Sequence, residues 1–264
     1  MTHEPFFLAD KDGFRPTPAC RGPWDPNSLH GRVVAGLLAY EIERQHGDAT
    51  LMPARLTVDL YRLPDLSPVV VTTSVVRNGR RIKVIDAEFV SNGVSVGRAT
   101  CQLLRRSENA PGRVWTPPAW DAPLPHEIAV PEAAAHGLGG MWAVRPIAGA
   151  FGTVGRKRLW MSEVRELVGG IALTPWVRAA LAADFASPFA NSGEAGLGYI
   201  NSDITLYLTR LPRTPWIGFD VVDHHADSGV AFGECRMYDE EGPIGSSSVC
   251  ALAQRRQEAL KPGS

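Results

Sequence analysis

The string LYRLP at residues 60–64 returns as LYLTRLP at residues 206–212 with two residues inserted, and the text around both copies runs in the same order. A chain that writes a helix-plus-sheet unit twice must bury two helices and find edges for two sheets, which excludes most single-unit architectures. The 264 residues are ample for two units of ordinary domain size.

The first thirty residues are dense in Pro and Gly and suit a short strand or two in an irregular lead-in. Asn27 and Ser28 are cap-type residues, and from Gly31 the positions Val33, Val34, Leu37, Leu38, Tyr40 and Ile42 follow a helical period that ends at Gly47. The period then becomes two. ARLTVDLYRL, SPVVVTTSVVRNG, RIKVIDAEFVSNG and VSVGRATCQLLRR alternate apolar and polar residues around NG turns at Asn78-Gly79 and Asn92-Gly93, which predicts four antiparallel strands. Six prolines between residues 107 and 135 exclude a central strand or a long helix there and predict an extended linker, with Trp115 and Trp120 packing back onto the body.

The second half repeats this grammar. Residues 141–146 and 156–161 read as strands, residues 174–186 as an apolar helix, and GYINSDITLYLTRL, PWIGFDVVDHH, VAFGECRMYDEEG and IGSSSVCALAQRR as four further strands. Setting Gly97 on Gly245 places Gln102 opposite Cys250, and setting helix on helix places Glu41 opposite Asp184. The expected organisation is an N-terminal unit over residues 1–108, a proline-rich linker over 109–138 and a C-terminal unit over 139–264.

Composition narrows the function classes. A formal charge of −1 with dispersed arginines offers no electrostatic stripe for nucleic acid. Cys20, Cys101, Cys235 and Cys250 form no CxxC pair, which fits free thiols in a reducing compartment and argues against zinc. His224-His225 and the acids at 239–241 read as turn residues, and neither group suggests a metal. Apolar runs fall short of the ~20 residues that span a bilayer, and the N-terminal text lacks signal-peptide character. A cytoplasmic chain without a membrane span and without a cofactor is the expectation.

A long helix embraced by a curled antiparallel sheet is the hot dog unit, so the fold class expected is α+β, a double hot dog. The order of elements, together with HGRVVAGLLA in the first helix, LAADFASPF in the second, DITLYLTR after it and IGSSSVCALAQRR at the end, resembles the acyl-CoA thioesterase II (TesB-like) family. That resemblance implies an acyl-CoA substrate and an active site in the second half. A helix carboxylate, a hydroxyl residue opening the next strand and a glutamine on the last strand would hold a water that attacks the thioester carbonyl. Carried onto this chain, the carboxylate is Asp184, the hydroxyl position falls on Asn201, and the glutamine position falls on Cys250, or on Ser248 or Val249 if the strand slips.

The residue types suit such chemistry independently. A carboxylate within reach of a water can take its proton, and the N–H groups at a helix N-terminus can receive charge developing on a carbonyl oxygen. His30-Gly31 at the first helix start resembles the segment where single hot dog thioesterases bind the thioester carbonyl, and the pairing of Glu41 with Asp184 in the repeat leaves open a second, vestigial site made with Gln102. Bland readings stand beside each of these: Asp184 as a cap or arginine partner, Asn201 as a turn residue, Cys250 as a small buried apolar residue, Glu41 as a half-exposed helix acid. The function expected is acyl-CoA hydrolysis to free fatty acid and CoA, the alternative being a protein that binds acyl-CoA or an acyl chain without turnover. Paired units make one continuous sheet, and a homo-oligomer of such chains is compatible with it.

Overall fold

The computed structural model describes residues 3–129 and 142–254. In chain order the elements are β1 (Phe7–Asp10), β2 (Gly13–Pro16), α1 (Gly31–His46), β3 (Leu51–Asp59), β4 (Val69–Asn78), β5 (Ile82–Ser91), β6 (Val94–Arg105), β7 (Trp142–Ala148), β8 (Arg158–Glu163), α2 (Pro175–Ala183), α3 (Ala186–Asn191), β9 (Ser192–Gly193), β10 (Gly196–Leu197), β11 (Tyr199–Asn201), β12 (Asp203–Leu208), β13 (Ile217–Asp227), β14 (Val230–Asp239) and β15 (Gly242–Ala253). Apart from the two-stranded β9–β10 hairpin, the strands form one sheet in the order β1-β2-β4-β5-β6-β3-β12-β15-β14-β13-β8-β7, with β11 also paired to β15.

The halves meet at β3 and β12, which pair antiparallel with Thr57 opposite Thr205. These threonines stand 148 positions apart, the offset of Gly97 and Gly245, so in that alignment the repeat's own partners face each other at the centre of the sheet. The bulges repeat too. Val96 is the extra residue between the Phe89–Gly97 and Val90–Ser95 pairs, and Ile244 is the extra residue between Met237–Gly245 and Tyr238–Pro243. A bulge bends the strand and increases local twist, which lets a sheet this wide curl around its helices. Tight turns at Asn92-Gly93 and Ser228-Gly229, all four residues at positive φ, close β5–β6 and β13–β14 in the primed geometry that matches strand twist.

Inside the curl α1 packs on α2. Val33, Val34, Leu37, Leu38 and Ile42 of α1 are buried, as are Trp176, Val177 and Leu181 of α2. At Gly36 the helices are in close contact, since a Cβ there would stand 2.6 Å from the Leu181 side chain. Thr174 caps α2 through its hydroxyl and Pro175 occupies the first helical position, where its missing N–H has no intrahelical use.

Four expectations change. The helix expected over 174–186 ends at Ala183, because Phe185 N–H bonds the Ala182 carbonyl and Ser187 N–H bonds that of Asp184, tightening one turn before α3 resumes. The strand expected across 198–211 breaks at Ser202, whose N–H donates to the Cys250 carbonyl and whose carbonyl accepts from the Leu60 N–H. His224 and His225 lie within β13 rather than in a turn. In the linker, Trp120 stacks on Tyr238 at 4.2 Å between centroids whereas Trp115 stays 80% exposed, so one tryptophan docks and the other does not. Linker residues 130–138, with the expected boundary at 138/139 and the strand start at Met141, lie outside the described residues. Among those described, no helix is long and apolar enough to cross a membrane.

Candidate functional site

The tightened turn between α2 and α3 decides where Asp184 goes. It closes α2 in αR conformation, with the Ala183 carbonyl before it held at 2.8 Å by the buried Ser247 hydroxyl of β15. The side chain reaches the N-terminus of α1 and is 3% exposed. His30 Nδ1 lies 3.0 Å from Oδ2, and Asn201 Nδ2 donates to Oδ1 at 3.0 Å. Gly31 stands against the same carboxylate, where a Cβ would fall 2.8 Å from Oδ1 and 3.1 Å from Oδ2. One half of the repeat therefore supplies the acid and the amide, the other the imidazole and the helix end.

His30 is also the N-cap residue of α1, its Nδ1 standing 3.3 Å from the Arg32 N–H. Nδ1 carries one function at a time: protonated, it donates to Asp184; unprotonated, it accepts from the helix. The shorter contact and the ionised carboxylate favour donation to Asp184. Burial alone would push the Asp184 carboxyl up, yet the hydrogen bond and charge of His30, the Asn201 amide and the charge of Arg32 outweigh it and hold the group below the ordinary aspartate value.

Arg32 is the charge that sequence reading passed over. It is 1% exposed, lies 4.1 Å from the Trp142 ring centroid and 4.6 Å from that of Phe6, and pairs with Glu163 at 2.8 Å. Burial pushes the Glu163 carboxyl up against the opposing pull of this guanidinium. A charge in the first turn of an otherwise apolar helix, directly after His30-Gly31, was the available signal; nothing in the text around Glu163 marks its partner.

A cavity of about 200 Å³ opens onto Gly31 and Asn201, the two residues that flank the carboxylate. Its walls include the apolar Trp24, Leu29, Val34, Leu60, Leu63 and Ile200, with Tyr61, Arg62 and Ser202 adding polar groups.

The remaining expected residues sit elsewhere. Cys250 is exposed on β15, and its neighbours Val249 and Ala251 take the buried alternation. Ala251 is the residue directly opposite Asn201, so the face of β15 nearest the amide is apolar. Burial and the Asp203 carboxylate raise the Cys250 thiol. Glu41 is buried, not half-exposed, and its carboxylate is taken by Arg44 at 2.8 Å to each oxygen and by Gln45 at 2.6 Å. Gln102 lies on β6 opposite Arg55 and Val84. The acid that answers Asp184 in space is Glu43, which accepts from the Thr174 hydroxyl at the cap of α2 at 2.6 Å beside a second cavity of about 210 Å³ lined by Trp176 and Pro53. At that helix start the first residue is Pro175, which has no N–H to offer. Among the described residues no cluster of His, Cys, Asp and Glu is arranged to hold a metal ion.

Comparison with known proteins bears on the family and the fold. A model of the acyl-CoA thioesterase N-terminal domain matches residues 20–104 and one of the acyl-CoA thioesterase C-terminal domain matches residues 111–248. Solved structures share the fold at low identity. A hot dog protein of unknown function from Alicyclobacillus acidocaldarius aligns with TM-score 0.72 and 15% identity over 94% of this chain and 96% of its own. The acyl-CoA thioesterase II TesB2 of Mycobacterium marinum aligns at 0.64 and 16% over 86% and 91%. The tesB protein of Mycobacterium avium subs paratuberculosis aligns at 0.68 and 15% over 89% and 91%. Comparison with curated proteins finds no match.

Proposed function

The chain belongs to the acyl-CoA thioesterase family, and from that premise we propose that it hydrolyses acyl-CoA to a free fatty acid and CoA, with Asp184 as general base. The observation that carries the reading is the Asp184 carboxylate, buried, held below the ordinary aspartate value, and fixed against Gly31 and Asn201, which both lie on the wall of a largely apolar cavity.

In this reading the acyl chain occupies the cavity behind Gly31, and the thioester carbonyl faces the N-terminus of α1, where the Gly31 N–H and the positive end of the helix dipole favour negative charge. A water bound to Asp184 gives up one proton to the carboxylate as its oxygen bonds the carbonyl carbon. The negative charge that gathers on the carbonyl oxygen is met by the Gly31 N–H and the positive end of the helix dipole, both in place before the reaction. Collapse of the tetrahedral intermediate breaks the carbon–sulfur bond. The sulfur leaves with the electron pair and takes up the proton held by Asp184. His30 donates to Asp184 and keeps the carboxylate oriented; Asn201 shares its amide with the carboxylate and the Asp203 carbonyl.

The test is release of free thiol from acyl-CoA thioesters of graded chain length. Asp184→Asn should lower the rate by about 10²–10⁴, the contribution expected of a positioned base. Retention of the wild-type rate in that variant would overturn the assignment.

One observation favours a second reading, a protein that binds acyl-CoA without turnover: Val249 and Ala251 face inward where the family's carboxamide is expected, and Cys250 faces out. Saturable acyl-CoA binding with no thiol released at any chain length would select it.

A further inference from the structure

At the end of α3 the chain turns through the β9–β10 hairpin and enters β11. Beneath this hairpin lies Lys157, which is 3% exposed and donates from Nζ to the Ser192 carbonyl at 2.7 Å. An ammonium carries three donors, and among the described residues no carboxylate pairs with this one. Asn191 beside it is 5% exposed, with neither Oδ1 nor Nδ2 hydrogen-bonded, and the neighbouring Ser192 hydroxyl is likewise without a partner. Buried polar groups in folded proteins are nearly always satisfied, so three in one place are a demand for something that brings its own donors and acceptors.

The room for it exists. Lys157, Asn191, Ser192, Gly198, Tyr199 and His224 are among the walls of a cavity of about 430 Å³. A Cβ at Gly193 or Gly198 would meet nothing within 4 Å, so the hairpin leaves its inner side open. Glu194, the acid at the hairpin tip, also lines this cavity but is exposed to solvent, which screens its charge. Burial holds Lys157 below the ordinary lysine value, with Cys235 opposing.

We propose that this cavity binds a phosphate ester on a hydroxylated frame. Its oxygens accept from the spare Lys157 and Asn191 donors and from the Ser192 hydroxyl, and a hydroxyl of the ligand donates to Asn191 Oδ1. Two sources of such a group exist, the nucleotide end of a CoA thioester or a separate phosphorylated metabolite. The first source rests on the thioesterase reading; the anion site itself does not. Tyr199 stands two residues before Asn201 on β11, so the cavity opens on the same strand as the amide beside Asp184, roughly 7 Å along it.

The experiment measures binding by calorimetry and thermal shift, with CoA, pantetheine and glycerol 3-phosphate as probes, on the wild type, Lys157→Met and Asn191→Leu. If CoA is the source, Lys157→Met weakens CoA binding at least tenfold and leaves pantetheine unchanged. If the ligand is separate, glycerol 3-phosphate raises Tm in the wild type, less so in either variant, and does not compete with CoA. Should Lys157→Met fail to fold, Asn191→Leu and the wild-type thermal shift carry the comparison. Binding of CoA and glycerol 3-phosphate that is absent, or indifferent to both substitutions, overturns the site. None of these readouts requires turnover, so a protein that binds acyl-CoA without hydrolysing it still decides the question.

Discussion

The Asp184 carboxylate occupies the space that a side chain at position 31 would fill, with Oδ1 only 2.8 Å from where a Gly31 Cβ would stand. Acid and glycine come from different copies of the repeat, so the tolerance between the two halves is set at this contact.

Gly31→Ala should therefore displace the carboxylate without harming the helix, since alanine is the better helix former. Overpacking a filled site costs about 1–3 kcal/mol, and the displacement should lower thiol release by more than tenfold. Denaturant unfolding and a thiol assay on the same preparation check both. A variant with wild-type stability and rate would mean the carboxylate has another place to go.

The pH dependence follows from the depressed Asp184 value. A carboxyl whose folded pKa lies below its unfolded one adds stability that is in place above the ordinary aspartate value near ~4 and is lost as pH falls through the folded value. Thiol release should likewise stay flat down to about pH 4. His30→Phe removes a hydrogen bond and a nearby charge, so the acid limb should move to higher pH. An unmoved limb would show that His30 does not act on the carboxylate.

Glu43 carries the opposite sign. Burial raises its carboxyl while the Thr174 hydroxyl lowers it, and burial wins. The penalty on the charged form is absent below the ordinary glutamate value and grows as pH rises through the folded one. Glu43→Gln keeps an acceptor for Thr174, so at pH 7 its Tm should equal or exceed that of the wild type, with the difference vanishing near pH 4. A lower Tm at pH 7 would contradict this.

Thiol reactivity gives a check on strand register. Cys20 and Cys101 are buried and their thiols are pushed up to about 12, and burial raises Cys235 further. Cys250 alone of the four is exposed. An aromatic disulfide reagent should modify one thiol per native chain quickly and all four after denaturation. Cys250→Ala should abolish the fast phase, and a slip of β15 by one residue would bury the thiol and abolish it too.

Much of the architecture was legible because it rests on periodicity. The change from period 3.6 to period 2 marked α1 and the strands after it, and the 148-residue offset read from Gly97 and Gly245 is the offset at which Thr57 meets Thr205. The site was legible in part. Asp184 stands out as an acid in apolar text, Asn201 was reached through the family resemblance, and the two meet. Glu41 did not answer Asp184, because pairing helices by sequence ignores that α2 breaks at Ala183 whereas α1 runs on to His46. The orientation of Cys250 depends on where β12 starts relative to β15, and the interruption at Ser202 has no sequence marker. The Arg32–Glu163 pair joins residues 131 positions apart with no shared pattern.

The junction of β3 with β12 carries a further meaning. In a dimer of identical chains every substitution is written into both symmetry-related sites at once, so neither can change without the other. Joining the copies in one chain lifts that constraint. Here one helix begins with Gly31, which leaves room for a carboxylate and presents an N–H, and its counterpart begins with Pro175, which offers none. Covalent linkage leaves the two helix starts free to differ in this way, which two identical chains could not do.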